Sequence, residues 1–122
     1  MIIEDEPEFL ELLELVLSSV GYETASCENG REALNRIKEE APDLIILDVM
    51  LPGMDGHAIA RQLAMDEETN RIPIIVMTAL EQSKRLFDGL DQVKAFCSKL
   101  INPTDFLEKV QEVLNASSPG AV

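Results

Sequence analysis

Short apolar runs alternate with amphipathic stretches along the whole chain. Met1-Ile2-Ile3 is apolar, reads as a first strand, and runs straight into Glu4-Asp5-Glu6. Pro7 stands at a first helical position. From Glu8 to Val20, the residues Phe9, Leu12, Leu13, Val16, Leu17 and Val20 recur at helical spacing, with Glu8, Glu11 and Glu14 off that face. Gly21 closes the helix. Tyr22 to Ser26 reads as a second strand, Asn29-Gly30 as a turn, and Arg31 to Glu40 as a second helix with Ala33, Leu34 and Ile37 inward. Pro42-Asp43 breaks that helix. Leu44-Ile45-Ile46-Leu47 is continuous and apolar, as in a strand covered on both faces, and it stops at Asp48. Pro52-Gly53 and Asp55-Gly56 mark a loop, with Gly53 and Gly56 serving its geometry.

The second half repeats the theme. His57 to Glu67 is a third helix presenting Ile59, Ala60 and Leu63. Ile72 to Met77 is a fourth strand; Pro73 sits near its start, where a missing donor is tolerated, and Thr78 follows its end. Glu81 to Leu90 gives a weaker helix, and Val93 to Ser98 a fifth strand ending at Lys99. Pro103 opens a last helix with Phe106, Leu107, Val110, Val113 and Leu114 on one face. One domain over residues 1–115 is expected, with 116–122 a frayed tail of small and polar residues.

Strand then helix, five times over, predicts a parallel sheet with helices on both faces. Five units in 122 residues suit the flavodoxin-like (βα)5 fold with strand order 2-1-3-4-5.

Charge narrows the function. The chain carries 23 acidic and 10 basic residues, a net −13, which argues against direct nucleic-acid binding and against docking on an anionic membrane. No apolar run approaches the ~20 residues of a membrane span. No signal peptide is visible, so a cytoplasmic location is expected. Cys27 and Cys97 sit in apolar surroundings, have no Cys or His partners at metal-binding spacing, and read as buried free thiols.

In open α/β sheets, ligands bind beyond the carboxyl ends of the strands. The first strand delivers Glu4 and Asp5 to that edge, the third Asp48, the fourth Thr78 and the fifth Lys99. The first and third strands flank the switch point, so three carboxylates should converge. Like charges raise each other's pKa, and a cation resolves the conflict. An oxygen-only donor set suits Mg²⁺. Asp48 is the best nucleophile, since a carboxylate can attack phosphorus and form an acyl phosphate. The Thr78 hydroxyl could bond a phosphoryl oxygen, and the Lys99 ammonium could pair with the carboxylate and then with the phosphoryl group.

At this point a resemblance is specific. The segment from Leu44 to Gly56, LIILDVMLPGMDG, resembles the phosphoacceptor strand and loop of response-regulator receiver domains. Ile2-Ile3-Glu4-Asp5-Glu6-Pro7 resembles their first strand and acidic pair, and Met77-Thr78-Ala79 their switch threonine. Phe96, three before Lys99, stands where the family places its switch aromatic. The likeness covers roughly residues 1–115. It implies phosphoryl transfer to Asp48 from a sensor histidine kinase or a histidine phosphotransfer protein in a two-component system. It also implies Mg²⁺ on Asp5, Asp48 and the Met50 backbone carbonyl, with Glu4 acting largely through water. Thr78 and Phe96 would switch together and remodel the face of the fourth helix, fifth strand and fifth helix. That face contacts an effector domain or downstream protein, and is a common homodimer surface in the family.

The chain departs from the family pattern in places. Leu100 stands where a proline usually follows the lysine, so the Lys99 loop is expected to sit differently. The Thr78–Lys99 stretch is about one residue short and offers Asp91-Gln92-Val93-Lys94 before the fifth strand, so an atypical fourth helix or exit is expected. Met50 and Leu80 lie two beyond Asp48 and Thr78, an apolar pair that limits solvent control of an acyl phosphate. His57 reads as an exposed residue at a helix start, not a relay. Two rivals stand beside the receiver reading: a phosphorylation-independent interaction module, and a Mg²⁺-dependent phosphatase. The second lacks the usual aspartate at the position of Met50. No enzymatic turnover is expected beyond slow self-dephosphorylation.

Overall fold

In the computed structural model, residues 1–51, 54–79 and 81–117 are described. The loop signals Pro52-Gly53 and the apolar position Leu80 lie outside them, as do residues 118–122. Five parallel strands form one sheet: β1 Ile2–Ile3, β2 Ser26–Cys27, β3 Ile45–Asp48, β4 Ile74–Thr78 and β5 Val93–Ser98. Their order is β2-β1-β3-β4-β5, the expected flavodoxin-like arrangement. The helices are α1 Pro7–Ser18, α2 Gly30–Glu40, α3 Gly56–Ala64 and α4 Pro103–Ser117, with a 3₁₀ segment at Glu81–Phe87 between β4 and β5.

Successive strand side chains point to opposite faces, so each strand feeds two cores. Ile2, Ile46, Ile75 and Met77 pack with Leu10, Leu13 and Phe106 under α1 and α4. Ile3, Ile45, Leu47, Ile74 and Val76 pack with Ala33, Ile37, Ile59 and Leu63 under α2 and α3. Both faces are covered, which explains the unbroken apolar runs. Among the described residues, no helix is long and apolar enough to cross a membrane.

Several boundaries differ from the sequence expectation for local reasons. α1 ends at Ser18 because Gly21, at φ +91°, reverses the chain. The Gly21 N–H reaches the Ser18 carbonyl at 3.0 Å and the Tyr22 N–H reaches the Leu17 carbonyl at 3.2 Å, a Schellman closure. Val20 therefore lies past the helix and is 49% exposed, and Leu10 takes an inward place instead. β2 is restricted to Ser26–Cys27 because β1 offers only Ile2 and Ile3 as ladder partners. α3 stops at Ala64, short of Glu67. The Asp66 carboxylate accepts from the Glu68 N–H at 2.9 Å, and the Thr69 hydroxyl donates to the Leu63 carbonyl at 2.8 Å, so side chains compete for the groups that would continue the helix. The Ile72 N–H is likewise taken by the Thr69 carbonyl, and β4 begins only at Ile74. The last helix runs on to Ser117, past Asn115, where polar residues were expected to fray.

The fourth helix is atypical, as the short Thr78–Lys99 stretch led us to expect, though its extent and type differ from the expected helix to Leu90. Glu81–Phe87 forms a 3₁₀ segment rather than an α-helix reaching Leu90. Its sequence offers no apolar stripe at 3.6-residue spacing, and Phe87 is its buried anchor. The exit into β5 is fastened by Gln92. Its buried side-chain Nε2 donates to the Thr69 carbonyl at 2.8 Å and the Ile72 carbonyl at 2.9 Å.

Candidate functional site

The strand ends bring the acidic residues together. Glu4 follows directly on β1, and its N–H donates to the Cys27 carbonyl at 3.0 Å, which pins it to β2. The residue is 1% exposed. Oε2 accepts from the Asp5 N–H at 2.9 Å. Asp48 closes β3, is 3% exposed, and accepts from the Met50 N–H at 3.3 Å through Oδ1. Glu4, Asp5 and Asp48 each present an oxygen within 4.8 Å of the other two.

Lys99 reaches the same place from the end of β5. Its N–H donates to the Thr78 carbonyl at 3.3 Å, which ties the loop to the end of β4. Its Nζ donates to Asp48 Oδ2 at 3.0 Å and to Glu6 Oε1 at 3.1 Å. Nζ also lies 3.0 Å from Glu4 Oε1, an ion pair outside hydrogen-bonding geometry. Leu100 is joined without a cis bond, is 93% exposed, and donates its N–H to Ser98 Oγ at 3.0 Å. The missing proline thus does not keep Lys99 out of the site.

Electrostatics follow from this crowding. Burial, with the neighbouring Asp48 carboxylate, pushes the Glu4 carboxyl up to about 7, although Lys99 pulls the other way. Burial works to lower the Lys99 pKa, but its contacts with the Glu4, Asp48 and Glu6 carboxylates outweigh that and hold it above the ordinary lysine value. One ammonium pairs with Glu4, Asp48 and Glu6, and Asp5 lies beside Glu4 and Asp48, so negative charge is in excess. Glu4 Oε1 is buried and accepts no hydrogen bond among the described residues. An all-oxygen donor set with more carboxylates than ammonium charge to balance them fits a hard divalent cation.

Thr78 is the last residue of β4, buried, one past Met77, which pairs with Asp48. Phe96 is half-buried in β5 and meets Phe87 edge-on at 6.0 Å, with Lys84 Nζ 5.6 Å from its ring. Met50 extends a 72% exposed side chain. His57 corrects the expectation of an exposed residue. It is half-buried, edge-on to Phe87 at 5.8 Å, and accepts from Arg61 Nε at 2.7 Å. The reason is that Phe87, the anchor of the 3₁₀ segment, packs onto the start of α3. Two residues around Lys99 were not singled out from sequence: Glu6, and Phe9, whose ring lies 5.3 Å from Nζ. Glu6 was legible only as part of an acidic run, and Phe9 only as a core position.

The sequence profile of the response regulator receiver domain matches residues 1–111. The chain belongs to the response-regulator receiver family. It is 36% identical over 121 residues to the phosphate regulon transcriptional regulatory protein PhoB of Pseudomonas aeruginosa, an alignment covering 98% of this chain and 53% of that protein. The receiver thus spans about half the length of that relative. Among solved structures, it resembles the signal receiver domain of a signal transduction histidine kinase from Syntrophus aciditrophicus, with 33% identity, a TM-score of 0.85, and 97% and 90% of the two chains covered. It also resembles the receiver domain of the sensor histidine kinase PA1611 from Pseudomonas aeruginosa, with 26% identity, a TM-score of 0.83 and 93% of each chain covered. That protein holds a magnesium ion coordinated in its active-site cleft. This receiver is a signalling module of the two-component type.

Proposed function

We propose that this receiver, working in the cytoplasm, accepts a phosphoryl group on Asp48 from a phosphohistidine of a sensor kinase or histidine phosphotransfer protein. The observation that carries this is the convergence of Glu4, Asp5 and Asp48, with the Lys99 ammonium paired to Glu4 and Asp48. Magnesium in the cleft of the PA1611 receiver supports Mg²⁺ as the ion. Asp5, Asp48 and the Met50 carbonyl would hold it, with Glu4 acting through water. When bound, the ion neutralises the phosphoryl oxygens and fixes their orientation.

The step is a simple exchange of bonds. A carboxylate oxygen of Asp48 attacks phosphorus, forming a P–O bond as the P–N bond to the donor histidine breaks. The electron pair leaves with the imidazole, which takes a proton from solvent. Lys99 holds Asp48 in place beforehand through its 3.0 Å contact to Oδ2, then pairs with a phosphoryl oxygen. The Thr78 hydroxyl donates to another. Thr78 and Phe96 then shift the face built by the 3₁₀ segment, β5 and α4 toward a second state. An effector domain, a downstream protein or a second copy of the chain reads that face.

Acetyl phosphate with Mg²⁺ tests the reading. The wild type is expected to gain hydroxylamine-labile phosphate, and Asp48→Asn none. Equal behaviour of the two would overturn the assignment, and sustained turnover of a phosphate ester would point to a phosphatase.

A further inference from the structure

We infer that Gly30, at the start of α2, is a positioning residue for Asp48, acting through the backbone of residues 54–56. The functional consequence rests on the phosphoacceptor reading above; the contact itself does not. Gly30 is buried. A Cβ there would lie 2.0 Å from the Met54 carbonyl oxygen and 2.9 Å from the Met54 carbonyl carbon and nitrogen. All three are backbone atoms, so no flexible side chain can give way.

A second contact of the same kind follows two residues on. A Cβ at Gly56 would lie 2.2 Å from the Asp48 carbonyl oxygen and 2.9 Å from Val49 Cα. The Gly56 N–H donates to the Val49 carbonyl at 2.8 Å. Between the two contacts, Asp55 caps α3 by accepting from the Ala58 N–H at 2.8 Å. Met54-Asp55-Gly56 is therefore gripped by α2 on one side and by the end of β3 on the other.

The start of α2 is itself held in place. The Asn29 side chain accepts from the Arg31 N–H at 2.8 Å, and the Cys27 thiol donates to the Asn29 carbonyl at 3.2 Å. Close-packed backbone transmits a displacement rather than absorbing it. A side chain at position 30 would thus push on Met54, and through Gly56 on the residue that carries the reacting carboxylate.

Backbone amide NMR and Mg²⁺ titration of the full chain test this. In the metal-free protein, Gly30→Ala is expected to shift the Val49 and Gly56 amide resonances. It is also expected to weaken Mg²⁺ binding and beryllofluoride uptake about tenfold or more. Ile37→Ala removes a buried side chain two turns along the same helix and serves as the stability control. It should lower the Tm but leave Mg²⁺ affinity and both amides unchanged. Equal losses in the two variants, or unmoved Val49 and Gly56 amides in Gly30→Ala, would overturn the inference. If Gly30→Ala does not fold, the wild type decides: beryllofluoride should move the Gly30 amide, and an unmoved Gly30 overturns the inference. If the wild type binds neither Mg²⁺ nor beryllofluoride, the phosphoacceptor reading fails alone, and the metal-free amide shifts still decide the Gly30 contact.

Discussion

The Lys99 ammonium donates to Asp48 Oδ2 at 3.0 Å, although the two residues stand 51 positions apart in the chain. The same nitrogen lies 3.0 Å from Glu4 Oε1. One side chain from β5 thus bridges the two buried carboxylates delivered by β1 and β3. Removing it leaves both without their cation.

Lys99→Ala is expected to destabilise the metal-free protein by about 1–3 kcal/mol, because a buried carboxylate pair loses its partner. Urea unfolding with an unchanged m-value measures this. Saturating Mg²⁺ should recover part of the loss. In the wild type, Mg²⁺ at 100-fold excess over its Kd should add about 2.7 kcal/mol, and a chelator should remove it. A stability indifferent to Mg²⁺ would count against a cation site at Glu4, Asp5 and Asp48.

Glu4 sets a pH dependence. Its carboxyl is raised from 4.5 to about 7 in the folded protein, so the fold favours the protonated form. Its contribution is fully present below its unfolded pKa and is lost as pH rises through about 7. In metal-free protein, wild-type stability measured relative to Glu4→Gln should therefore decline between pH 5 and pH 8. A difference that stays flat, or grows, over that range would contradict the burial argument.

The 3₁₀ segment Glu81–Phe87 should be a region of low local stability. Phe87 is its buried anchor, and 3₁₀ hydrogen bonds have poor geometry. Hydrogen exchange should find its amides far less protected than those of β4, whose five residues are all buried. Protection equal to β4 would argue against a weakly held element.

Leu100 separates stability from surface chemistry. It is 93% exposed, so Leu100→Ser should change unfolding free energy by no more than about 0.5 kcal/mol. Chemical denaturation reads this directly, and a loss above about 1 kcal/mol would mean that the side chain packs in solution.

Much of the site was legible because a buried parallel strand is an unbroken apolar run, and the first polar residue after it marks the functional edge. Leu44–Leu47 stops at Asp48 and Ile74–Met77 at Thr78. The alternation of strand and helix then fixed the sheet order. What escaped has two sources, one local helix stop and several contacts between residues far apart in sequence. Val20 continues the helical spacing of α1, yet Gly21 ends that helix before it can point inward. His57 looks exposed until the Phe87 ring arrives beside it. Glu6 and Phe9 matter to Lys99 only because a loop far along the chain, 93 positions after Glu6, folds back over them.

Gln92 has a consequence at the rim of the sheet. β5 is an outermost strand, the kind of edge onto which foreign chains can add and seed aggregation. The Gln92 side chain bonds the carbonyls of Thr69 and Ile72, while the Gln92 carbonyl accepts from Ile74 at 2.8 Å. Peeling β5 away from its first residue would break all three bonds at once. This edge strand is thereby riveted where it begins.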